Sequence, residues 1–311
     1  MNAPSRWDVL VVGGGLAGLT AAIAARHRGC SVLLLDAGSS DRPGGNTRHS
    51  CAVRLPSPPR VPPTPADLDR FGQDLAALGS AAVCEPLIDA TILGAAELAA
   101  FMEAHGAAFS APYLGVVEPE PSMHFLVGGG LALVRAYVRL ANRLGVVYAA
   151  DATVSELCSG ANGTIVGIVA HVAGRTERID ARSIIVATGG SESVDAAGVP
   201  NAVVRGGAAN TGGLFRAFAE LDATFVGDGL DLVAVDARSP EFDGGSATAI
   251  DAAGFGILID SDGRMLYDSS ASEWSVARTE VGSAVAGARG GRAAVCWDGS
   301  SHGRFAPTPW A

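Results

Sequence analysis

Residues 8–36 read DVLVVGGGLAGLTAAIAARHRGCSVLLLD, and this stretch decides the fold. Residues 8–12 form a short β-branched run that leads into three consecutive glycines. Residues 16–27 have the composition of a helix, and residues 31–36 form a second apolar strand. Strand, glycine turn, helix and strand in so short a stretch make a βαβ unit, which predicts a parallel sheet.

Three glycines of this stretch, Gly13, Gly15 and Gly18, have the G-x-G-x-x-G spacing of a dinucleotide-binding turn. They supply a tight turn, room for a pyrophosphate and close packing of helix on strand. The diphosphate would meet free N–H groups at the positive end of the helix. Asp36 ends the second strand, where a carboxylate can accept hydrogen bonds from the ribose hydroxyls of adenosine. An ordinary glycine turn in a glycine-rich chain is the alternative, but it does not explain an acid in register.

Two further segments favour FAD over NAD as the dinucleotide. Residues 44–47, Gly-Gly-Asn-Thr, form a second glycine turn that can approach the diphosphate and the flavin. Residues 183–190, SIIVATGG, are predicted to be a buried strand that returns to the parallel sheet after a β-meander. Residues 151–182 have the pattern of that meander, with Asn162-Gly163 as a hairpin turn. The alternative interpretation of 183–190 is an ordinary core strand followed by a glycine turn.

The rest of the chain predicts a second, smaller unit. Helical patterns occur at 66–78, 85–105 and 131–144, and glycine-rich turns separate short elements after residue 205. We therefore predict an α/β protein with a Rossmann-like FAD-binding domain that carries a β-meander. An incomplete α+β capping domain follows it. The domains would span residues 1–205 and 206–311, respectively.

Composition excludes several classes of function. The net charge of the 311-residue chain is −10, which disfavours a nucleic-acid partner because such binding depends on Lys and Arg. Its five cysteines have neither C-x-x-C nor metal-ligand spacing, so we expect reduced thiols and no metal site. No apolar run reaches the roughly 20 residues that span a bilayer, and none has the character of a signal peptide. The expected location is the cytoplasm.

Beyond these local patterns, the chain resembles the fumarate reductase/succinate dehydrogenase flavoprotein family, and within it the tricarballylate dehydrogenases. Seven matching stretches run in order through most of the chain: 11–25 (VVGGGLAGLTAAIAA), 33–37 (LLLDA), 44–50 (GGNTRHS), 125–146 (FLVGGGLALVRAYVRLANRLGV), 184–190 (IIVATGG), 205–213 (RGGAANTGG) and 236–245 (DARSPEFDGG). The resemblance implies an FAD-binding domain interrupted by a cap, with a small carboxylated substrate between them. It also implies hydride transfer to or from a carbon of a C–C bond that a carboxylate activates, and leaves room for a separate electron-acceptor protein.

Carried over residue by residue, the resemblance implies a set of FAD-binding residues: Gly13, Gly15, Leu16, Ala17, Gly18, Asp36, Ala37, Gly44, Gly45, Asn46, Thr47, Val154, Ala187, Thr188 and Gly189. Arg48 and His49 extend the Gly-Gly-Asn-Thr turn toward the flavin and would shape flavin or substrate electrostatics. A covalent link through His49, as in related enzymes, is an alternative. Arg238 would hold a substrate carboxylate, or else brace a turn, and Arg278 lies nearest to the position of the family's proton-donating arginine.

Departures from the family pattern leave three hypotheses open. The histidine that precedes the DAR segment in relatives is absent, and the family continues past residue 311 with a strand and helix that complete the FAD domain. We therefore expect a C-terminally truncated member. The chain is then one piece of a flavoenzyme, a degenerate paralogue that binds a nucleotide or a protein without catalysis, or an NAD-binding protein with an unrelated cap.

Overall fold

The first three elements confirm the predicted βαβ unit. They are β1 (Trp7–Val12), α1 (Leu16–His27) and β2 (Val32–Leu35). The computed structural model describes residues 6–78, 84–110, 122–191, 206–207, 209–225, 256–268, 274–296 and 298–299, and only the backbone of 77–78 and 274–279. In it β1 and β2 run parallel, with Val9 opposite Val32.

The remaining described elements follow in chain order: a 3-10 helix (Gly45–His49), β3 (Ala52–Arg54), α2 (Pro65–Leu78), α3 (Glu85–Ala104), β4 (Met123–Phe125), α4 (Gly129–Arg143), β5 (Val147–Ala149), β6 (Ala152–Ser159), β7 (Ile165–Val172), β8 (Arg175–Val186), a short helix (Phe215–Ala219), β9 (Ile257–Ile259), β10 (Met265–Asp268), a helix (Trp274–Gly287), a 3-10 turn (Arg289–Gly291) and β11 (Ala294–Cys296). The alternation of strands with helices in the first half confirms the α/β prediction. All five cysteines have free thiols.

A six-stranded sheet in the order β5-β2-β1-β8-β7-β6 organises the first part of the chain. Strands β5, β2, β1 and β8 are parallel, whereas β7 is antiparallel to both β8 and β6. The last three strands are the predicted meander. Gly163 has a φ of 77°, as the Asn-Gly hairpin requires, and Gly160 N–H donates to the Thr164 carbonyl at 2.8 Å to close the turn.

Strand β8 belongs to both halves of the sheet. Its residues 175–180 pair with β7, and its residues 181–186 pair with β1. The sequence predicts that the meander ends at residue 182 and that a separate strand begins at 183, but no turn residue interrupts the run from 175 to 186. The meander therefore leads into the parallel sheet without a break, which places the carboxyl end of β8 beside that of β1.

The two faces of the parallel strands are covered by different elements. Val11 on β1 and Leu34 on β2 are fully buried and pack in one cluster with α1 and α4. The neighbouring Leu10 and Leu35 lie in a second cluster, with residues of β6, β7 and the Phe215–Ala219 helix. Each such buried side chain contributes about 1.5–3 kcal/mol to stability. Two covered faces explain why these strands read as continuous apolar runs.

The prediction that 183–190 is a buried strand is wrong, because none of these residues is buried and Ser183, Ile185 and Gly189 are exposed. Ile185 on β8 is 37% exposed, although it is paired with Val11. Side chains alternate along a strand, and the neighbouring Ile184 and Val186 pack into the cluster shared with the meander. Ile185 therefore projects from the opposite face, where the described residues leave it partly uncovered.

A second, antiparallel sheet lies in the last part of the chain, in the order β10-β9-β11. Leu258 on β9 and Val281 on the Trp274–Gly287 helix form its buried core. Leu214 and Ala217, by contrast, pack in a core cluster of the central sheet. The predicted division at residue 205 stays a prediction, and this packing favours a boundary further along the chain.

Candidate cofactor-binding site

A cleft of about 610 Å³ opens where the parallel strands β1, β2 and β8 end. The carboxyl ends of parallel strands are where α/β sheets bind their ligands, because the loops there diverge and the helix N-termini point toward them. Six segments and Arg42 line the cleft: 12–17, 35–39, 45–49, 151–154, 187–189 and, in the 207–214 stretch, Gly207 and 209–214.

The N-terminus of α1 meets this cleft at Gly15. Gly15 has φ −72° and ψ −176°, a conformation that any residue can adopt. A Cβ on Gly15 would lie 3.6 Å from Thr47 Oγ1, so the protein itself leaves room for a side chain here. Neither strain nor crowding therefore requires glycine at this position. A ligand that approaches the backbone closely would require it.

Gly13 and Gly18 serve the fold instead. Gly13 has a φ of 109°, and a Cβ there would overlap the Ala187 carbonyl oxygen of the loop that follows β8. A Cβ on Gly18 would overlap the Gly13 carbonyl oxygen. These two glycines let the first turn of α1, the end of β1 and the end of β8 approach each other. This geometry contains the tight turn and the close packing of helix on strand that were predicted, whereas room for a pyrophosphate at Gly15 stays a prediction.

The second glycine turn is held against the first by α4. A Cβ on Gly130 would overlap the Thr47 carbonyl oxygen, and the Gly130 N–H donates to the Ser50 carbonyl at 2.6 Å. Gly44 has a φ of 102°, and its missing Cβ makes room for the side chain of Val134. The 3-10 helix Gly45–His49 is thereby fixed along one wall of the cleft.

Asp36 lies in the cleft at the end of β2 and is 6% exposed. Its Oδ1 accepts the Gly38 N–H at 3.1 Å, and its Oδ2 accepts the Tyr148 hydroxyl at 2.6 Å. Burial and the nearby negative charge of Asp36 raise the pKa of Tyr148 well above its usual value, so the phenol remains a donor. The carboxylate keeps acceptor positions beyond these two hydrogen bonds, as a ribose diol needs.

The third wall follows β8. Ala187 N–H donates to the Val12 carbonyl at 2.7 Å, which extends the parallel pairing into the loop. Gly189 has a φ of 74°, and a Cβ there would lie 3.3 Å from the side chain of Asn210. Asn210 is 6% exposed and lines the cleft, and Gly207 N–H donates to Asn46 Oδ1 at 2.7 Å. The 207–214 segment thus contacts both the loop after β8 and the second glycine turn.

Most of the residues predicted for the cofactor come together here. All of them line the cleft except Gly18 and Gly44, which shape it from behind. Arg48 and His49 also line it. Arg238 lies outside the described residues, and Arg278 lies on the Trp274–Gly287 helix, where only the backbone is described.

Sequence reasoning missed several contributors. Gly14 was not assigned a role, yet a Cβ on it would overlap Asp36 Oδ2 and lie 2.8 Å from Tyr148 Oη. Tyr148 had no signal beyond its place in a short strand. Arg42 and Asn210 line the cleft as well, and only Asn210 had a signal, in the RGGAANTGG match. Long-range contacts of this kind are not encoded in local spacing.

These groups fit a dinucleotide. A helix tip cleared of side-chain bulk suits a diphosphate, a buried carboxylate with a fixed donor suits a ribose, and the arginines favour an anionic ligand. Among the described residues no three His, Cys, Asp or Glu side chains are arranged to hold a metal ion. No helix in the described segments is long and apolar enough to cross a bilayer.

Solved structures share this fold. The chain is similar to 3-ketosteroid-Δ4-(5α)-dehydrogenase from Rhodococcus jostii RHA1, with a TM-score of 0.69 and 22% identity over 91% of this chain and 64% of that one. It is similar to a flavocytochrome c3 fumarate reductase, with a TM-score of 0.68 and 19% identity over 94% and 52%, respectively. It is also similar to a 3-ketosteroid Δ1-dehydrogenase from Sterolibacterium denitrificans, with a TM-score of 0.70 and 16% identity over 91% of this chain and 66% of that one.

The chain therefore spans between about half and two thirds of the length of these proteins. At such identities the likeness establishes the fold alone. No curated protein matches the chain by sequence. Residues 8–303, which are almost the whole chain, match one protein family, the FAD binding domain. The prediction of FAD as the cofactor is thereby confirmed, and the chain belongs to the FAD binding domain family.

Proposed function

We propose that the chain is an FAD-dependent oxidoreductase that acts on a C–C bond of a small carboxylated substrate. The observation that carries the proposal is that four features line one cleft. They are the N-terminus of α1 at Gly15, the carboxylate of Asp36, and the side chains of Arg48 and His49. FAD, when bound, supplies two-electron hydride chemistry. The protein supplies its binding, its orientation and the electrostatics around it.

Each wall of the cleft has a separate task in this proposal. The α1 tip at Gly15 and Ala17 holds the diphosphate, and Asp36 holds the adenosine ribose. The backbone of Val154 lies near the adenine, and Ala187, Thr188 and Gly189 close the adenosine side. Arg48 provides positive charge where a substrate carboxylate or a reduced cofactor carries negative charge, and His49 supplies a polar ring beside it. Preorganised charge of this kind lowers the barrier only where its interaction with the transition state is stronger than its interaction with the ground state.

The substrate class rests on the resemblance to tricarballylate dehydrogenases. In it, Arg238 pairs with a substrate carboxylate from a cap formed by the last part of the chain, and Arg278 is the candidate proton donor. A bidentate arginine–carboxylate contact would fix the orientation of the substrate. One solved neighbour is named a fumarate reductase and two are named steroid dehydrogenases, so both substrate classes belong in the test. A separate electron-acceptor protein completes the proposal.

The test begins with the visible absorbance spectrum of the purified protein. A flavin band is expected, and anaerobic bleaching of that band is then followed with a panel of saturated di- and tricarboxylates. The matched amides of the same carbon skeletons are controls, and a 3-ketosteroid tests the other substrate class. Bleaching by the amides as well as by the acids would reject the carboxylate proposal.

Variants separate the two candidate arginines from general effects of charge. Arg238→Ala and Arg278→Ala are compared with Arg70→Ala, an exposed arginine paired with Asp67 on α2. We expect Arg238→Ala to bind the substrate more weakly and Arg70→Ala to bind it as the wild type does. Unchanged binding would remove Arg238 from the site. A protein that binds FAD but whose flavin no compound reduces would favour the alternative of a non-catalytic paralogue.

A further inference from the structure

Tyr148 is the least expected residue at the cofactor site. It lies on β5, opposite Leu34 in the register of the parallel sheet, and donates its hydroxyl to Asp36 Oδ2 at 2.6 Å. Hydrogen bonds to a carboxylate are shorter and about twice as strong as neutral ones. The backbone adds a second link, because the Asp36 N–H donates to the Ala149 carbonyl at 2.9 Å.

The carboxylate is therefore restrained on both oxygens. Gly38 N–H holds Oδ1 at 3.1 Å while Tyr148 holds Oδ2. Without the phenol, Asp36 could rotate about its side-chain torsion, since one backbone N–H alone fixes only one oxygen. With both donors in place, the carboxylate keeps one orientation, so its remaining acceptor positions keep one direction relative to the protein.

Gly14 belongs to the same arrangement. A Cβ at this position would overlap Asp36 Oδ2 and lie 2.8 Å from Tyr148 Oη. Unlike Gly13, Gly14 does not have a left-handed φ, so its backbone conformation alone does not call for glycine. The middle glycine of Gly13-Gly14-Gly15 is thus required by the contact between Asp36 and Tyr148, and the dinucleotide-binding pattern leaves its identity open.

We propose that Tyr148 is a positioning residue that holds the Asp36 carboxylate oriented for the adenosine ribose of FAD. This inference rests on FAD as the cofactor and is independent of the proposed oxidoreductase activity. Removing the phenol should weaken ligands that contain the adenosine ribose. It should also reduce the discrimination that the site makes between a ribose with both hydroxyls and one that lacks a hydroxyl.

The decisive experiment measures binding to the flavin-free full-length protein by calorimetry, with FAD, ADP, 2′-deoxy-ADP and 3′-deoxy-ADP as probes. Tyr148→Phe should weaken FAD and ADP about tenfold, the effect of one hydrogen bond to a charged group. The penalty that the wild-type protein shows for a deoxy analogue relative to ADP should shrink in Tyr148→Phe. Equal affinities of wild type and variant for FAD and ADP would overturn the proposal.

Tyr137→Phe is the matched control, because it removes a phenol oxygen from a fully buried tyrosine that does not line the cleft. It should bind all four probes as the wild type does. An unchanged deoxy penalty in Tyr148→Phe, together with a uniform loss of affinity, would show general loosening and would also overturn the proposal. A wild-type protein that binds no FAD would instead contradict the cofactor assignment itself.

Gly14→Ala provides a second route if Tyr148→Phe does not fold. The added methyl would meet side-chain atoms, which can move, so Asp36 can turn away while the backbone stays in place. The same pattern is expected from this variant: about tenfold weaker FAD and ADP and a smaller deoxy penalty. Wild-type affinity in Gly14→Ala would contradict the assigned role of the contact.

Discussion

Thr47 Oγ1 accepts the backbone N–H of Leu16 at 2.9 Å, so a side chain of the second glycine turn caps the first helix. The first N–H groups of a helix have no carbonyl partner within it, and Thr47 satisfies one of them from 31 residues away. The two glycine loops are therefore joined by a hydrogen bond of the protein itself. The diphosphate must use other donors of the α1 tip.

Thr47→Val tests this cap. The variant keeps the shape of the side chain and loses the acceptor, so the Leu16 N–H is left without it. We expect a loss of about 1 kcal/mol in the free energy of unfolding of the flavin-free protein, measured with urea. Thr47→Ser retains a hydroxyl and should lose less than half of that. Equal stability of the valine variant and the wild type would show that the cap contributes nothing.

The sequence predicts the parts of this site that depend on local spacing. Gly13, Gly15 and Gly18 follow from a strand-turn-helix pattern, and Asp36 follows from its place at the end of the next strand. The hydrogen bond from Leu16 to Thr47 does not follow, because it joins two turns whose distance depends on the packing of α4. Gly130 against the Thr47 carbonyl fixes that distance, and nothing in the Gly128–Gly130 run states which backbone it faces.

Gly15→Ala is expected to weaken FAD binding without a loss of stability, whereas Gly18→Ala is expected to lower stability. The Gly15 Cβ would have 3.6 Å of clearance and an ordinary φ, so the flavin-free variant should keep the stability of the wild type. Its affinity for FAD should fall by about two orders of magnitude, because the methyl group occupies the place of the diphosphate. Calorimetric titration with FAD measures this loss.

In Gly18→Ala the methyl would overlap a backbone carbonyl, so α1 must move away from β1. A loss of about 1–3 kcal/mol in the free energy of unfolding is expected even without flavin. The result that would contradict this division is a Gly15→Ala protein that binds FAD normally. A Gly18→Ala protein as stable as the wild type would contradict it too.

Asn46→Ala tests the link between the second glycine turn and the 207–214 segment. Asn46 Oδ1 accepts the Gly207 N–H at 2.7 Å across an exposed part of the cleft. We expect FAD to bind about fivefold more weakly, because one wall loses a hydrogen bond worth about 1 kcal/mol. Asn46→Asp keeps an acceptor at this place and serves as the comparison. Equal affinities of Asn46→Ala and the wild type would show that the two segments hold each other by other contacts.

The strand pattern could be predicted because it depends on local sequence, whereas the residues that were missed depend on long-range contacts. The continuous apolar run of β1 and the Asn-Gly turn before β7 are properties of a few neighbouring residues. Whether β8 is one strand or two depends on Arg182, which carries no turn signal and lies inside one continuous strand. Tyr148 is still harder to predict, because its role arises from the position of β5 next to β2, which only the strand order provides.

Tyr137 on α4 provides a prediction about pH. It is fully buried, and its hydroxyl has no hydrogen-bond partner among the described residues. Burial raises the pKa of Tyr137 to about 12, whereas the pKa in an unfolded chain is about 10. A raised pKa means that the stability is complete below pH 10 and falls as the pH rises toward 12. Tyr137→Phe should remove that part of the alkaline loss.

Urea unfolding of the flavin-free protein at pH 8 and pH 11 measures the effect. At pH 8 the phenylalanine variant should be as stable as the wild type or up to about 1 kcal/mol more stable, because a buried donor without a partner disappears. At pH 11 the difference in its favour should increase. Part of the alkaline loss will remain, because the pKa of Tyr148 is raised as well. A variant that is less stable than the wild type at both pH values would show that the Tyr137 hydroxyl makes a stabilising contact after all.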